Sequence, residues 1–212
     1  MSSALMRKTQ TPSHDGVTTA ESENTRLPPR DRIIASAIDL FRQQGIKGVG
    51  VDAIAEAADS NKMTLYRHFG SKDDLICECL KKTSARREQI WRDLEAAHPN
   101  DPIGQVRGWI EEAAERIFSD PRGCDLANAA VELREANHPA LQLIIEAKKA
   151  HMERLINLCR AAGIKQPEQL TDALVLLVEG ARVCSQSAGI EGPQQQLKRA
   201  CDAMIAAYSP DS

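Results

Sequence analysis

The side chains best suited to recognition chemistry fall in one short run. Lys62, Met63, Thr64, Tyr66, Arg67 and His68 are near neighbours, and Lys72 follows closely. Lys and Arg neutralise phosphate, and an Arg fork can bind guanine through two hydrogen bonds. The hydroxyls of Thr64 and Tyr66 can reach phosphate oxygens. Leu65 and Phe69 stand at i, i+4, one side of a helix, so they can pin that helix to its neighbours while the polar side stays free. Asn61 is a good N-cap, which starts the helix at Lys62 and leaves its first amides open to an anion. The same pattern also describes the solvated face of a small helical bundle, and spacing alone leaves the two readings open.

Elsewhere the chemically capable residues do not assemble. His151 and Cys159 are eight apart, about two helical turns, and no third ligand has recognisable metal spacing. A surface His and a structural thiol are the plainer reading. The six cysteines (Cys77, Cys79, Cys124, Cys159, Cys184 and Cys201) form no C-x-x-C. Cys77 and Cys79 point about 200° apart around a helix and cannot bond without unwinding it. Kept reduced, such thiols serve as small buried hydrophobes rather than as a switch. Glu179 and Arg182, at i, i+3, suit a simple surface pair. Arg87 lies in an apolar stripe, where it can pair across helices or meet an acidic effector. With no Glu-x-x-His pair and no nucleophile–base set, neither an enzyme nor a cofactor is expected.

The elements that must position these residues are helical. Aromatics are only 3% of 212 residues, while Ala, Leu, Glu, Arg and Gln dominate. Residues 1–29 have no apolar period and read as a disordered arm ending at Pro28-Pro29, with Arg7, Lys8 and Arg26 as its basic side chains. A first helix runs from Asp31, burying Ile34, Ala37, Ile38 and Phe41, and stops at Gly45. A second covers about 51–58, with Asp59-Ser60 as the turn. The third is about 62–69. A long fourth, about 72–97, carries Ile76, Cys79, Leu80, Thr83, Arg87, Ile90, Trp91 and Leu94 inward. Helices follow at about 103–119, 124–135, 139–163, 167–187 and 193–208. The seventh carries Leu141, Ile144, Ile145, Met152, Leu155 and Cys159.

The first ninety residues carry a formal +2 (14 basic and 12 acidic side chains) and the remainder −5 (13 and 18). A polyanion would therefore meet the first half. No run approaches the roughly 18 apolar residues of a membrane span, and the start lacks a signal-peptide core. A soluble cytoplasmic protein is expected.

Two short helices joined by a tight turn, with a third packed behind, are a helix-turn-helix whose second helix suits the major groove. The stretch Ala53-Ile54-Ala55-Glu56-Ala57-Ala58, followed by Thr64-Leu65-Tyr66-Arg67-His68-Phe69-Gly70-Ser71-Lys72-Asp73-Asp74-Leu75, closely resembles the DNA-binding signature of the tetracycline-repressor (TetR) family. Ala37-Ile38-Asp39-Leu40-Phe41 and Gly45 resemble that family's first helix. Past residue 90, Gly123-Cys124, Asn128-Ala129-Ala130 and His138-Pro139-Ala140 resemble its sensing domain more loosely.

The resemblance implies an all-α fold. Its parts would be an arm (1–26), a DNA-binding domain (27–87, motif 50–69) and a helical effector-binding and dimerisation domain (88–212). It implies a repressor released from a palindromic operator on double-stranded DNA by an unknown small-molecule effector. Tyr66 and Lys72 would clamp phosphates, while Lys62, Met63, Thr64, Arg67 and His68 face the groove. A homodimer would form through the last two helices, with Leu174, Leu177, Gly180 and Ala181 suited to close contact. Trp91, Trp109, Phe118, Asn128, His151 and Arg182 are candidates for the effector pocket, with core packing or surface pairing the alternative for each. The competing function is a helix-turn-helix scaffold acting only as a protein interaction module. Three positions depart from the family pattern. Gly50 replaces a capping Thr or Ser, Asp59 a turn glycine, and Ser60 an apolar residue, so the turn is expected to be less well packed.

Overall fold

Pro28 and Pro29 pre-set the backbone for a helical start, and the chain then forms one helix after another. The computed structural model describes residues 27–120, 122–135, 137–188 and 192–209, and among these it holds nine helices and no strand. They are α1 (Pro29–Gln44), α2 (Val51–Ala57), α3 (Lys62–Phe69), α4 (Lys72–Ala97), α5 (Pro102–Ser119), α6 (Asp125–Glu132), α7 (Pro139–Ala161), α8 (Pro167–Ala188) and α9 (Pro193–Tyr208). The arm expected over 1–26, with Arg7, Lys8 and Arg26, lies outside the described residues.

Side-chain caps fix the helix starts. Asn61 Oδ1 accepts from the Thr64 amide at 2.9 Å, Ser71 Oγ from the Asp74 amide at 3.0 Å, and Asp101 Oδ1 from the Gly104 amide at 2.9 Å. Each satisfies an amide that the helix itself leaves orphaned. Gly45 ends α1 at φ +77°, and a side chain there would also run into the Glu132 carboxylate, with 2.8 Å from its Cβ to Oε2. One boundary differs from expectation. The sixth helix stops at Glu132, not near 135, because Leu133 leaves helical geometry (ψ +82°) and is buried in the same apolar cluster as Ile46 and Ile76.

Three apolar clusters organise the molecule. The head cluster packs Ile33, Ile34, Ala37, Ile54, Leu65 and Phe69 against Leu75 and Cys79 of α4. The body cluster gathers α5, α7, α8 and α9 around Val106, Leu155, Leu170 and Leu174, with Trp91 of α4. Between them a seam cluster joins Ile46, Ile76, Cys77 and Leu80 to Leu126, Ala129 and Ile144. The divergence of Cys77 and Cys79 is visible here, since one thiol faces the seam and the other the head. Five of the six cysteines are buried and all are free; burial pushes the Cys79 thiol up to about 12. Of the apolar residues of α7, Ile145 is exposed because the helix turns the neighbouring Ile144 into the seam.

Within the body, the rings of Trp91 and Trp109 stack at 6.4 Å, and His151 lies 5.6 and 5.3 Å from them. Burial, and then the positive charges of Arg87, Lys148 and Arg182, lower the His151 pKa to about 4. The imidazole is therefore neutral near pH 7.

Two stability outcomes are expected. Leu65 is fully buried, so Leu65→Ala should cost about 2–5 kcal/mol, read from denaturant unfolding. A smaller loss would mean that α3 is not held by this side chain. In the unfolded chain His151 takes a proton near pH 6.5, whereas the folded chain refuses it down to about pH 4. Its contribution is therefore complete above pH 6.5 and is lost as pH falls towards 4. The melting temperature of the wild type should drop more steeply over that window than that of His151→Gln, and parallel profiles would contradict the assignment.

Candidate nucleic-acid interface and a buried cavity

The α2–turn–α3 unit is held from behind by α1. Asp59 adopts the positive φ expected of it, +47°. The turn is not the loose one that Ser60 suggested. Arg32 of α1 donates to the carbonyls of Ala58 (3.0 Å) and Asp59 (2.9 Å), and Ser36 Oγ donates to the Ala57 carbonyl (3.1 Å). Polar side chains thus satisfy the carbonyls at the end of α2, where the loss of the family's apolar residue at Ser60 implied weaker packing. Neither residue stood out in the sequence, because no spacing rule links α1 to a turn more than twenty residues away. Gly50, as the N-cap of α2, offers no side-chain cap and has open space around it.

With Leu65 and Phe69 inside, α3 presents its other side outward. Lys62, Met63, Tyr66, Arg67 and His68 are exposed and Thr64 is half-buried. Lys62 Nζ meets Asp52 of α2 at 3.1 Å, an exposed pair weak enough to yield to a phosphate. Arg30 lies over the Phe69 ring (5.4 Å) and pairs with Glu78, tying the end of α3 to α1 and α4. Lys72 is less free than the resemblance implies. Its ammonium donates to the carbonyls of Ile46 (2.7 Å) and Val49 (2.6 Å) and sits 5.9 Å from the Phe41 ring centre, and burial lowers its pKa. Two of its three donors hold the loop before α2, so its visible work is to position that loop.

Of the six pocket candidates, four come together. Trp91, Trp109, His151 and Arg182 line a cavity of about 50 Å³ between α4, α5, α7 and α8. Phe118 is 58% exposed. Asn128 lies instead at a second cleft, between α1, α4 and α6, and donates to the Arg122 carbonyl. The expected Glu179–Arg182 pair is replaced by one across helices: Lys148 Nζ of α7 reaches Glu179 Oε1 of α8 at 2.6 Å. Burial alone would raise the Glu179 pKa, but the Lys148 hydrogen bond and the charges of Lys148, Arg182 and Arg87 hold it below the usual carboxylate range. Sequence reasoning missed Lys148 and the Glu112–Arg116 pair of this wall, since one spans two helices and the other is an ordinary i, i+4 pair. Among the described residues no three His, Cys, Asp or Glu side chains cluster as metal ligands, and no helix is long and apolar enough to cross a membrane.

Head and body are joined through α6. Arg42 of α1 pairs with Asp120 and with Asp125, the latter at 3.1 Å. Glu132 accepts from the Lys47 amide at 3.1 Å. Arg87 of α4, a cavity residue, donates to Cys124 Sγ at 2.9 Å, and Cys124 is the N-cap residue of α6. On α8 the outward face differs from the one chosen in the sequence. Leu174 is buried in the chain's own core, and Leu177 and Ala181 pack partly against it. Leu176 (73% exposed) and Val183 (61%) flank Gly180, around which space is open.

Residues 33–79 match the family model described as "Bacterial regulatory proteins, tetR family". The chain is 26% identical over 160 residues, 73% of each protein, to the "Probable acrEF/envCD operon repressor" of Escherichia coli K12. It is 34% identical over 90 residues to the HTH-type transcriptional repressor SCO4008 of Streptomyces coelicolor, covering 42% of this chain and 43% of that one. The crystal structure of SCO4454, a TetR-family transcriptional regulator from Streptomyces coelicolor, superposes with a TM-score of 0.80 at 26% identity, over 85% of this chain and 96% of that one. A helix-turn-helix backed by α1 and followed by six further helices is the architecture shared with that TetR-family regulator, and residues 33–79 carry the DNA-binding domain of the tetR family of bacterial regulatory proteins, which marks the chain as a helix-turn-helix regulator of transcription.

Proposed function

We propose that the chain is a repressor that holds a palindromic operator as a homodimer and is released when a small-molecule effector enters the cavity beside Trp91. The observation that carries the DNA reading is the outer face of α3, where basic and hydroxyl side chains stand in solvent while Leu65 and Phe69 are buried. Arg67, Lys62 and His68, with Met63 and Thr64, would face the groove, and Tyr66 would clamp a phosphate. Lys72 has one ammonium donor left for the backbone. Residues 27–87 form the DNA-binding part in this reading, and 88 onward the sensing part. Repression is suggested by the names of the relatives, since both sequence relatives above are described as repressors.

The dimer reading rests on the Leu176–Gly180–Val183 stripe of α8. Its residues recur at i, i+4, i+7, with a glycine where another helix can approach closely. A two-fold mate would set two α3 helices one DNA turn apart, about 34–36 Å. Release would travel through α6. A ligand that draws on Arg87 disturbs its bond to Cys124, and α6 in turn holds the head through Arg42 and the Lys47 amide. By linkage, operator DNA would weaken effector binding by the same factor.

In a gel shift with DNA recovered by genome-wide selection, the protein should bind a two-fold symmetric site. Recovery of no such site would overturn the operator reading. Tyr66→Ala should weaken all DNA about 10- to 100-fold, the worth of a hydrogen bond to a charged group, with the salt dependence unchanged. Arg67→Ala should also lower the salt slope by about one. Unchanged affinity of both variants at physiological salt would refute these roles. The double variant Leu176→Glu, Val183→Glu should sediment as a folded monomer, whereas a dimer of unaltered affinity would place the interface elsewhere.

A further inference from the structure

We propose that the cavity takes an organic anion, a flat carboxylate whose charge lies between Arg87 and Arg182 and whose apolar part lies against Trp91 and Trp109. This rests on the effector reading above and names its chemical class. Four cationic side chains line the space, Arg87, Arg116, Lys148 and Arg182, against two carboxylates, Glu112 and Glu179. Both carboxylates are already engaged, Glu112 by Arg116 at 3.4 Å and Glu179 by Lys148 at 2.6 Å. Among the described residues no carboxylate is in ion-pair contact with Arg87 or Arg182, whose charges reach only Glu179, and that one is bonded to Lys148. The partner of Arg87 is a thiol sulfur, a weak acceptor. Arg182 Nε is buried with no hydrogen-bond partner, and so is His151 Nδ1.

An uncompensated charge in a low-dielectric site is costly, so these guanidiniums favour an occupant that brings a negative charge. An ammonium ligand would add to the excess, and a neutral one would leave it standing. Neutral His151 supplies a hydrogen bond without more charge. The remaining wall is apolar and flat, from the stacked indoles to Val175 and Val178.

Size also constrains the ligand. The space of about 50 Å³ is well under the roughly 150 Å³ of a benzene-holding cavity, so entry must move side chains. Lys148 and Met152 line both this cavity and an open groove of about 580 Å³ between α6 and α7, lined also by Ile144 and Ile145. Met152 is the flexible partition. Lys148 would part from Glu179 as the anion passes.

Both tryptophans of the chain lie in this wall, so their fluorescence reads occupancy directly. Wild-type protein is titrated with trans-cinnamate, its neutral match trans-cinnamamide and the cation cinnamylammonium. Cinnamate should quench saturably and at least tenfold more tightly than the amide, and the cation should not saturate. Arg182→Gln and Arg87→Gln, checked by circular dichroism, should each weaken cinnamate at least tenfold while leaving the amide within twofold. Binding of the amide or the cation as tight as that of cinnamate overturns the proposal, as does cinnamate affinity indifferent to both variants. Saturable quenching by none of the three overturns it as well. Anisotropy of labelled operator DNA separates the two readings. Arginine-dependent cinnamate binding that leaves DNA affinity unchanged keeps the anion site and removes effector release. DNA released by the amide or the cation keeps effector release and removes the anion site.

Discussion

Everything the head does depends on two side chains being withdrawn from water. Leu65 and Phe69 lie on one side of an eight-residue helix, and their burial against α1, α2 and α4 sets which side of that helix is left outside. Alone, α3 is too short to be helical in water. Its order is borrowed from tertiary contact, and its orientation is set by the same contact. The cap at Asn61 and the ring of Phe69 under Arg30 trim the two ends, but neither could choose the face. The polar side chains that suit DNA are thus positioned by apolar ones that never touch it.

The second constraint is ionic and lies across the seam. Here the links between head and body are polar contacts laid over an apolar cluster: Arg42 with Asp120 and Asp125, the Lys47 amide with Glu132, and His138 Nε2 with Asp73 at 3.5 Å. The Arg42 pairs are largely withdrawn from water, with 19% of the Arg42 side chain and 21% and 19% of those of Asp120 and Asp125 exposed, so separating them is costly unless each charge finds a new partner. Any rearrangement of the seam must therefore exchange one set of polar contacts for another while the head and body cores stay intact. That is the mechanical requirement for a sensor, in which a ligand must trade a few kcal/mol between two arrangements rather than unfold a core.

Much of this was legible from residue order. Apolar periodicity, caps and glycine stops located all nine helices, and the i, i+4 pair Leu65/Phe69 predicted the buried side of α3. The misses share a physical origin. Periodicity reports which side of a helix is apolar and says nothing about which polar atoms meet across helices. Arg32 and Ser36 closing the α2 turn, Lys72 held by two carbonyls, Lys148 on Glu179, and Arg87 on Cys124 all join residues distant in sequence. Phe118 and Asn128 were grouped with the pocket by type alone, and residue type does not say which side of a helix faces in. On α8, Leu176 and Leu174 are chemically the same, and only packing distinguishes the core residue from the exposed one.

The charge distribution adds a further constraint. The residues after 90 carry a net −5, yet the cavity they form with α4 has four cationic side chains, Arg87 from the first ninety and Arg116, Lys148 and Arg182 from the remainder, to two anionic ones. Outside the protein, over distances longer than the Debye length of about 8 Å at physiological salt, an approaching organic anion meets weak repulsion rather than steering. Within the walls the local guanidiniums dominate, since low dielectric strengthens near charges far more than distant ones. Capture of the proposed ligand would therefore depend on apolar partition into the groove first and on charge second. Such an order favours a carboxylate that carries a substantial apolar body over a small hydrophilic anion. In the proposed reading DNA, a far denser polyanion, would be repelled by the same acidic surface and admitted only at the head. One uneven distribution of charge would thus separate the two proposed anionic partners by site.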